Sequence, residues 1–258
     1  MAQVLTIESS ADLNELPEKA IPIGGGSNIL INPAIKTPLI KVSPKFCPMT
    51  FKDNLITCSA GTPLAIFLKF ALDHQQSGFE FATGVPATIG GMVYMNFECW
   101  GIEVSQFVTE VLIFDKENGQ RWIKRSEYKT AYRWTSFHDD NVILLAIKLK
   151  LSSSYSDQIK NDMNRYLDER KKKQPILFHT FGSVFKNPLP SKAGQLIDQL
   201  SLKGHSIGDA KVSEIHANFF ENLNAASFED TCQLIKLIQN KVSKMYNINL
   251  ECEVQLIS

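Results

Sequence analysis

The sequence predicts an α+β protein. Short runs of β-type residues crowd the first 151 positions, helical periodicity marks longer stretches after SSSYSD up to 174 and near 227–245, and an alternating apolar run closes the chain. No repeat of 20 to 50 residues competes with the assignment.

In order along the chain, IPIGGGSNIL (residues 21–30) reads as a buried strand interrupted by glycines and then apolar again, and PLIKV (38–42) and NLITCSA (54–60) read as strands. A helix follows, with Thr62 as N-cap, Pro63 at the first helical position, Leu64, Phe67, Leu68, Ala71 and Leu72 on one face, and Gly78 as its stop. FVTEVLIFD (107–115) turns through Asn118-Gly119 into QRWIK, and VILLAIKLKL (142–151) completes the strand-rich part. Beyond SSSYSD, Ile159, Met163, Tyr166 and Leu167 recur at i, i+4, i+7 and i+8, which predicts an amphipathic helix ending at Gln174-Pro175 and connecting to a further domain. Leu234, Ile235, Ile238, Val242 and Met245 form the inward face of a helix from Ser227 to Met245. In INLECEVQLI, Ile248, Leu250, Cys252, Val254 and Leu256 alternate with Asn249, Glu251, Glu253 and Gln255, so the two glutamates share the polar face of a terminal strand.

Charge and cysteine content narrow the functional classes. Lys+Arg and Asp+Glu both number 27, giving zero formal charge, so nothing draws the chain as a whole to nucleic acid or anionic membrane. The basic run Arg170-Lys171-Lys172-Lys173 reads as a solvated helix end. No apolar stretch approaches the ~20 residues of a membrane span, and the N-terminus lacks the basic and hydrophobic regions of a signal peptide. The expectation is a cytoplasmic protein. Cys47, Cys58, Cys99, Cys232 and Cys252 are odd in number and widely spaced, which predicts reduced, mostly buried thiols rather than a disulfide framework. The five histidines show no ligand spacing, so no metal is expected.

The glycines carry the functional question. A backbone freed of side chains at Gly24, Gly25 and Gly26 lets another group come within contact distance, and a pyrophosphate is a common reason for such a loop. The stretch is not a Walker loop, since no Gly-Lys-Ser/Thr follows, and Ile29 stands where a dinucleotide fingerprint needs its third glycine. A second glycine-rich segment, ATGVPATIGGMVYMN (82–96), could grip the same cofactor from the other side. On composition alone, two purely structural turns remain an equal alternative.

Six segments in order, GGGSN (24–28), SGFEFATGVPATIGGMVYMN (77–96), AYR (131–133), GSVFKNP (182–188), AGQLIDQLSLKGHSIGDAKVSEIHANFFEN (193–222) and LECEV (250–254), resemble the UDP-N-acetylenolpyruvoylglucosamine reductase family. The resemblance implies an NADPH-dependent flavoenzyme of peptidoglycan precursor synthesis, in which FAD carries electrons to UDP-N-acetylglucosamine enolpyruvate and the product is UDP-N-acetylmuramate. It implies an FAD-binding region of the vanillyl-alcohol-oxidase type over residues 1–152, in two α+β subdomains (about 1–45 and 46–152), then a connecting helix (153–174) and a substrate-binding domain (175–258). A monomer is expected, of the shorter type within the family.

Carried over by motif, Gly24, Gly25, Gly26, Ser27 and Asn28 line the FAD pyrophosphate, and Thr83, Gly84, Pro86, Thr88, Gly90 and Gly91 close over it and the flavin ring. Ser183 matches the proton donor. Arg133 and Glu253 match the residues that stabilise the enolic intermediate, while Tyr132, Lys186, Asn187, Gln195, His216 and Asn218 match substrate- or NADPH-binding positions. From the residues alone, a helix cap or a buried hydrogen bond explains His216-Ala217-Asn218 equally well.

The chain also departs from the family pattern. Only 23 residues precede Gly24, where relatives usually carry a further segment, so either the start is truncated or part of the first subdomain is missing, which puts flavin affinity in question. Phe97-Glu98-Cys99, followed by Trp100, replaces a run of small residues and places bulk beside the expected flavin ring. Ala87, Phe181 and Gln255 replace a usual Gly, Ala and Arg. A related flavin oxidase, or a flavin-free binding protein descended from the enzyme, is the alternative to the reductase.

Overall fold

The structure, a computed structural model, describes residues 3–258. It divides into two units, one made of the chain up to Gly25 together with Lys36–Asp168, the other of Gly26–Ile35 together with Glu169–Ser258. The sequence reading places 26–35 in the first subdomain. These residues group instead with the C-terminal part because Ile29–Ile31 pairs in parallel with Gln255–Ile257.

Two sheets, of three and five strands, dominate the larger unit beside three two-stranded pairings. Leu39–Val42 is flanked by Val4–Ile7 and Ile21–Pro22, both parallel to it. Five antiparallel strands follow the order Gly119–Lys124, Val108–Asp115, Ile143–Leu149, Leu55–Ser59 and Thr50–Lys52. The first pair closes at Asp115–Gly119 through the three residues 116–118 rather than through a two-residue Asn118-Gly119 turn, and Gly119 opens the second strand at positive φ. Ile56, Cys58, Val111, Ile113 and Ile147 bury one face of this sheet against Leu64, Phe67, Phe79, Phe81 and Ile89.

The helix Leu64–Asp73 buries Leu64, Phe67, Leu68 and Ala71 as its periodicity predicts, but its ends differ from the sequence reading. Pro63 is the N-cap and stays extended, because Leu64 donates its N–H to the Ala87 carbonyl and Ile89 donates to Thr62. At the other end His74 caps the helix and Gln75 turns left-handed. Gly78 lies beyond that stop, where an added Cβ would stand 2.6 Å from the Phe107 ring.

The smaller unit packs the helices Ala193–Gln199 and Phe228–Tyr246 against the antiparallel strands Ser206–Ile207, Ala210–Val212 and Phe220–Asn222. Ser227 caps the long helix by accepting from the Asp230 N–H, and the Asp230 carboxylate accepts from the Ser227 N–H in return. Leu234, Ile235, Ile238 and Val242 are buried as expected. Met245 is exposed instead, and Tyr246 continues the stripe one position later.

Three further expectations are corrected. The terminal strand is regular only over Gln255–Ile257, and Leu256 is exposed while Ile257 is buried. The chain pairs with Val184 and Lys186 up to Val254 and then leaves them for Asn28 and Ile29, and this change of partner re-aims the side chains. Arg170 is buried rather than solvated, with Nη1 bonded to Gln174 Oε1 at 3.0 Å. All five thiols are free, but only Cys58 is fully buried.

Candidate active site

In the larger unit the two glycine-rich stretches meet. A Cβ on Gly24 would stand 2.8 Å from Thr88 Oγ1 and 3.4 Å from Gly91 Cα, and one on Gly25 would lie 3.6 Å from the Pro86 carbonyl oxygen. Here two backbones approach as closely as side-chain-free residues allow. Thr88 caps the short helix Ile89–Tyr94 by accepting from the Gly91 N–H at 3.3 Å. Gly84 has positive φ and lies exposed with Gly25 and Pro86, while Thr83 is buried. Gly90 has a different reason to be glycine, since its N–H bonds the Ala60 carbonyl at 2.7 Å and a Cβ would meet Ala60 Cβ at 2.6 Å. This bare, partly exposed backbone wall fits a group that needs main-chain contact, as the diphosphate of FAD does.

Arg133 belongs to the same unit. It occupies the second position of a two-residue turn between Thr130–Ala131 and Trp134–Thr135, in the left-handed region at φ 55°. Its guanidinium lies over the rings of Tyr132 and Phe97, 5.1 and 5.7 Å from their centroids. Nη1 donates to the Glu98 carbonyl at 2.9 Å, and the Glu98 carboxylate is 4.0 Å away. The sequence reading saw Glu98 only as bulk. No local signal joins two positions 35 residues apart, so this contact was invisible in the sequence.

The smaller unit brings together Ser183, Glu253, Ser27 and Asn28. Gly182, at φ 81°, delivers Ser183 into a segment running between 217–219 and 251–254. Glu253 donates its N–H to the Val184 carbonyl at 2.8 Å, so the two half-buried side chains sit on neighbouring strands of chain. Asn28 Nδ2 donates to the Glu253 carbonyl at 3.2 Å, and the Asn28 carbonyl accepts from Gln255 at 3.0 Å. An added Cβ on Gly182 would come within 3.9 Å of the Ser27 carbonyl. The second half of the glycine loop thus adjoins Gly182 and Glu253.

The remaining expected positions divide by environment. Lys186 is part-exposed, its Nζ 3.4 Å from the Glu251 carboxylate, and Gln195 is exposed on the helix Ala193–Gln199. Asn187 Oδ1 accepts from the Ala193 N–H at 3.0 Å and so caps that helix. Asn218 is buried with both ends of its amide on Phe185, Oδ1 accepting from its N–H at 3.0 Å and Nδ2 donating to its carbonyl at 2.8 Å. That amide braces the chain carrying Ser183. His216 Nδ1 accepts from the Asn218 N–H at 3.2 Å, which leaves the ring proton on Nε2, and burial pushes its pKa below the ordinary imidazole value.

Comparisons with known proteins agree on one family. The family model "UDP-N-acetylenolpyruvoylglucosamine reductase, C-terminal domain" matches residues 174–257, and an FAD binding domain model matches residues 6–123. A curated UDP-N-acetylenolpyruvoylglucosamine reductase from Caldanaerobacter subterraneus is 33% identical, covering 99% of this chain and 87% of the relative. One from Fervidobacterium nodosum is 39% identical over 91% of this chain and 76% of its own length. The crystal structure of the Thermus caldophilus enzyme superposes with a TM-score of 0.87 at 27% identity, over 99% of this chain and 92% of that one. Together these place the expected α+β class, FAD-binding region first, on a shared fold, and the chain belongs to the UDP-N-acetylenolpyruvoylglucosamine reductase family.

Proposed function

We propose that the chain reduces UDP-N-acetylglucosamine enolpyruvate to UDP-N-acetylmuramate, a step of cell-wall precursor synthesis, with electrons from NADPH. The observation that carries this reading is the placement of Ser183 beside Glu253, tied through the Val184 carbonyl at 2.8 Å and adjoining Ser27-Asn28. FAD, held by the glycine-rich loops at 24–28 and 83–91, would supply the hydride chemistry that links NADPH to the outer vinyl carbon of the substrate. In this reading residues 1–152 hold the flavin, 153–174 connect, and 175–258 bind substrate, in a monomer working in the cytoplasm and serving cell shape and division.

The chain's own residues then have distinct tasks. Gly24, Gly25, Gly26, Ser27 and Asn28, with Thr83, Gly84, Pro86, Thr88, Gly90 and Gly91, hold the diphosphate and flavin. Arg133 offers paired donors to the substrate carboxylate, where negative charge gathers once hydride has arrived. Glu253 holds or shares a proton on the enolic intermediate. Ser183 gives a proton to the neighbouring carbon; a hydroxyl is a weak acid and serves only against a strongly basic centre within hydrogen-bond reach. Tyr132, Lys186, Gln195 and His216 contribute substrate or NADPH contacts, with Asn187 and Asn218 bracing the chain that carries them.

The test is reconstitution followed by turnover. FAD should raise the melting temperature, because a ligand that binds only the native state stabilises it by mass action. The loaded protein should consume NADPH only when the enolpyruvyl sugar nucleotide is present. No thermal shift, or NADPH consumption indifferent to that substrate, would contradict the reading.

A further inference from the structure

The hairpin carrying Arg133 is fastened to residues 94–98 at three points. Thr135 Oγ1 donates to the Tyr94 carbonyl at 2.8 Å, Asn96 Nδ2 to the Ala131 carbonyl at 3.0 Å, and Arg133 Nη1 to the Glu98 carbonyl at 2.9 Å. Glu98 on this segment and Glu103, its cross-strand partner in the adjoining hairpin, carry two carboxylates that are used differently. Glu103 is engaged by Asn96 Nδ2 at 3.1 Å and Ser105 Oγ at 3.2 Å. Glu98 faces the guanidinium, with Oε2 4.0 Å from Nη1, and its Oε1 is pinned by the Gly101 N–H at 3.2 Å. That pin belongs to the tight turn Trp100-Gly101, both at positive φ, so the carboxylate is held by its own hairpin rather than left to swing. With the Arg133 side chain only 13% exposed between the rings of Phe97 and Tyr132, an anion reaching this guanidinium also meets the charge of Glu98.

We propose that Glu98 is a positioning residue for Arg133, seating the guanidinium at the turn and tempering its attraction for a substrate carboxylate. The proposal rests on the assignment of Arg133 to that carboxylate. A neighbouring like-signed charge weakens binding of a second anion, and a part-exposed pair of this kind is worth a few-fold in affinity rather than orders of magnitude. Product release benefits directly, since UDP-N-acetylmuramate keeps the carboxylate after the reaction.

The experiment compares two sugar nucleotides by calorimetry on the FAD-loaded protein: UDP-N-acetylmuramate, which carries the carboxylate, and UDP-N-acetylglucosamine, which lacks it. Glu98→Gln preserves the shape and the oxygen that accepts from Gly101 while removing the charge. It should tighten UDP-N-acetylmuramate roughly two- to fivefold and leave UDP-N-acetylglucosamine unchanged, and the gain should vanish in the Arg133→Ala background, as a double-mutant cycle requires of a direct coupling. Equal effects on both ligands, no effect on either, or a gain that persists without Arg133 would overturn the proposal. Arg133→Ala binding both ligands as the unaltered chain does would instead overturn the underlying role of Arg133, so the two failures are told apart. Equal flavin content and melting temperature across the variants separate these outcomes from misfolding.

Discussion

The loop pair 24–25 and 86–91 and the chain around 182–187 and 250–255 are built on opposite plans. In the first, missing atoms do the work: a Cβ on Gly24 would crowd Thr88 Oγ1 at 2.8 Å, and the exposed surface is main chain. In the second, polar side chains project from irregular backbone. Ser183 follows a glycine at φ 81°, and Glu253 stands in a bend where the chain changes partners. The first plan suits a cofactor that stays, bound through its diphosphate. The second suits a centre where protons and charge must be placed at single atoms. If so, changes to the two regions separate into loss of flavin and loss of one half-reaction.

The sharpest separation is expected at Ser183. Ser183→Ala should leave flavin bleaching by NADPH intact and slow reoxidation by the enolpyruvyl substrate by roughly 10² to 10⁴, the range that positioned general acids supply. Stopped-flow absorbance follows both steps, and equal slowing of the two would reduce Ser183 to a shaping role.

Next in size is the contrast between two glutamates. Glu253→Gln should lower turnover by about tenfold or more with flavin content unchanged, whereas Glu251→Gln should stay within about twofold. The structure sharpens that comparison, because Glu251 is largely exposed and paired with Lys186 while Glu253 is half-buried beside Asn28. Steady-state kinetics on the two variants decides it, and matched effects would break the distinction between the residues.

Gly24→Val probes the other plan. Its branched side chain would press on Thr88 and Gly91, so FAD content should fall, whereas any protein retaining flavin should still pass electrons to substrate. Flavin-to-protein absorbance after gel filtration reads the first effect. Full flavin content in this variant would contradict the bare-backbone account.

The smallest effect concerns pH. Burial lowers the His216 pKa, so the fold favours the neutral ring, and its contribution to stability is present above the ordinary imidazole pKa and lost as pH falls through that value toward the lowered one. Melting temperature should therefore drop on acidification across that window, and His216→Gln should flatten part of the drop. An unchanged profile in the variant would remove His216 as its source.

Much of this was legible in the sequence where the signal is local. A run of β-type residues located Val108–Asp115 and the strand that returns at Gly119–Lys124, and the 3.6-residue stripe located Phe228–Tyr246. The glycines of 24–26 announced a close approach, although nothing in the sequence distinguishes Gly25, which faces the opposite loop, from Gly90, which faces Ala60 in the core. What stayed hidden depends on partners distant in the chain. Alternation carried Leu256 inward because the switch from Val184 to Ile29 is not written in the strand itself. Whether Asn218 binds a ligand or braces the chain stayed open in the sequence because its two bonds to Phe185 span 33 residues.

The central claim is that electrons enter from NADPH and leave only to the enolpyruvyl double bond, and the most direct measurement is an anaerobic two-step titration of the FAD-loaded protein. NADPH should bleach the flavin absorbance; UDP-N-acetylglucosamine should leave it bleached, and UDP-N-acetylglucosamine enolpyruvate should restore the colour with one UDP-N-acetylmuramate formed per flavin. A bleached flavin that the enolpyruvyl substrate cannot reoxidise would contradict the account.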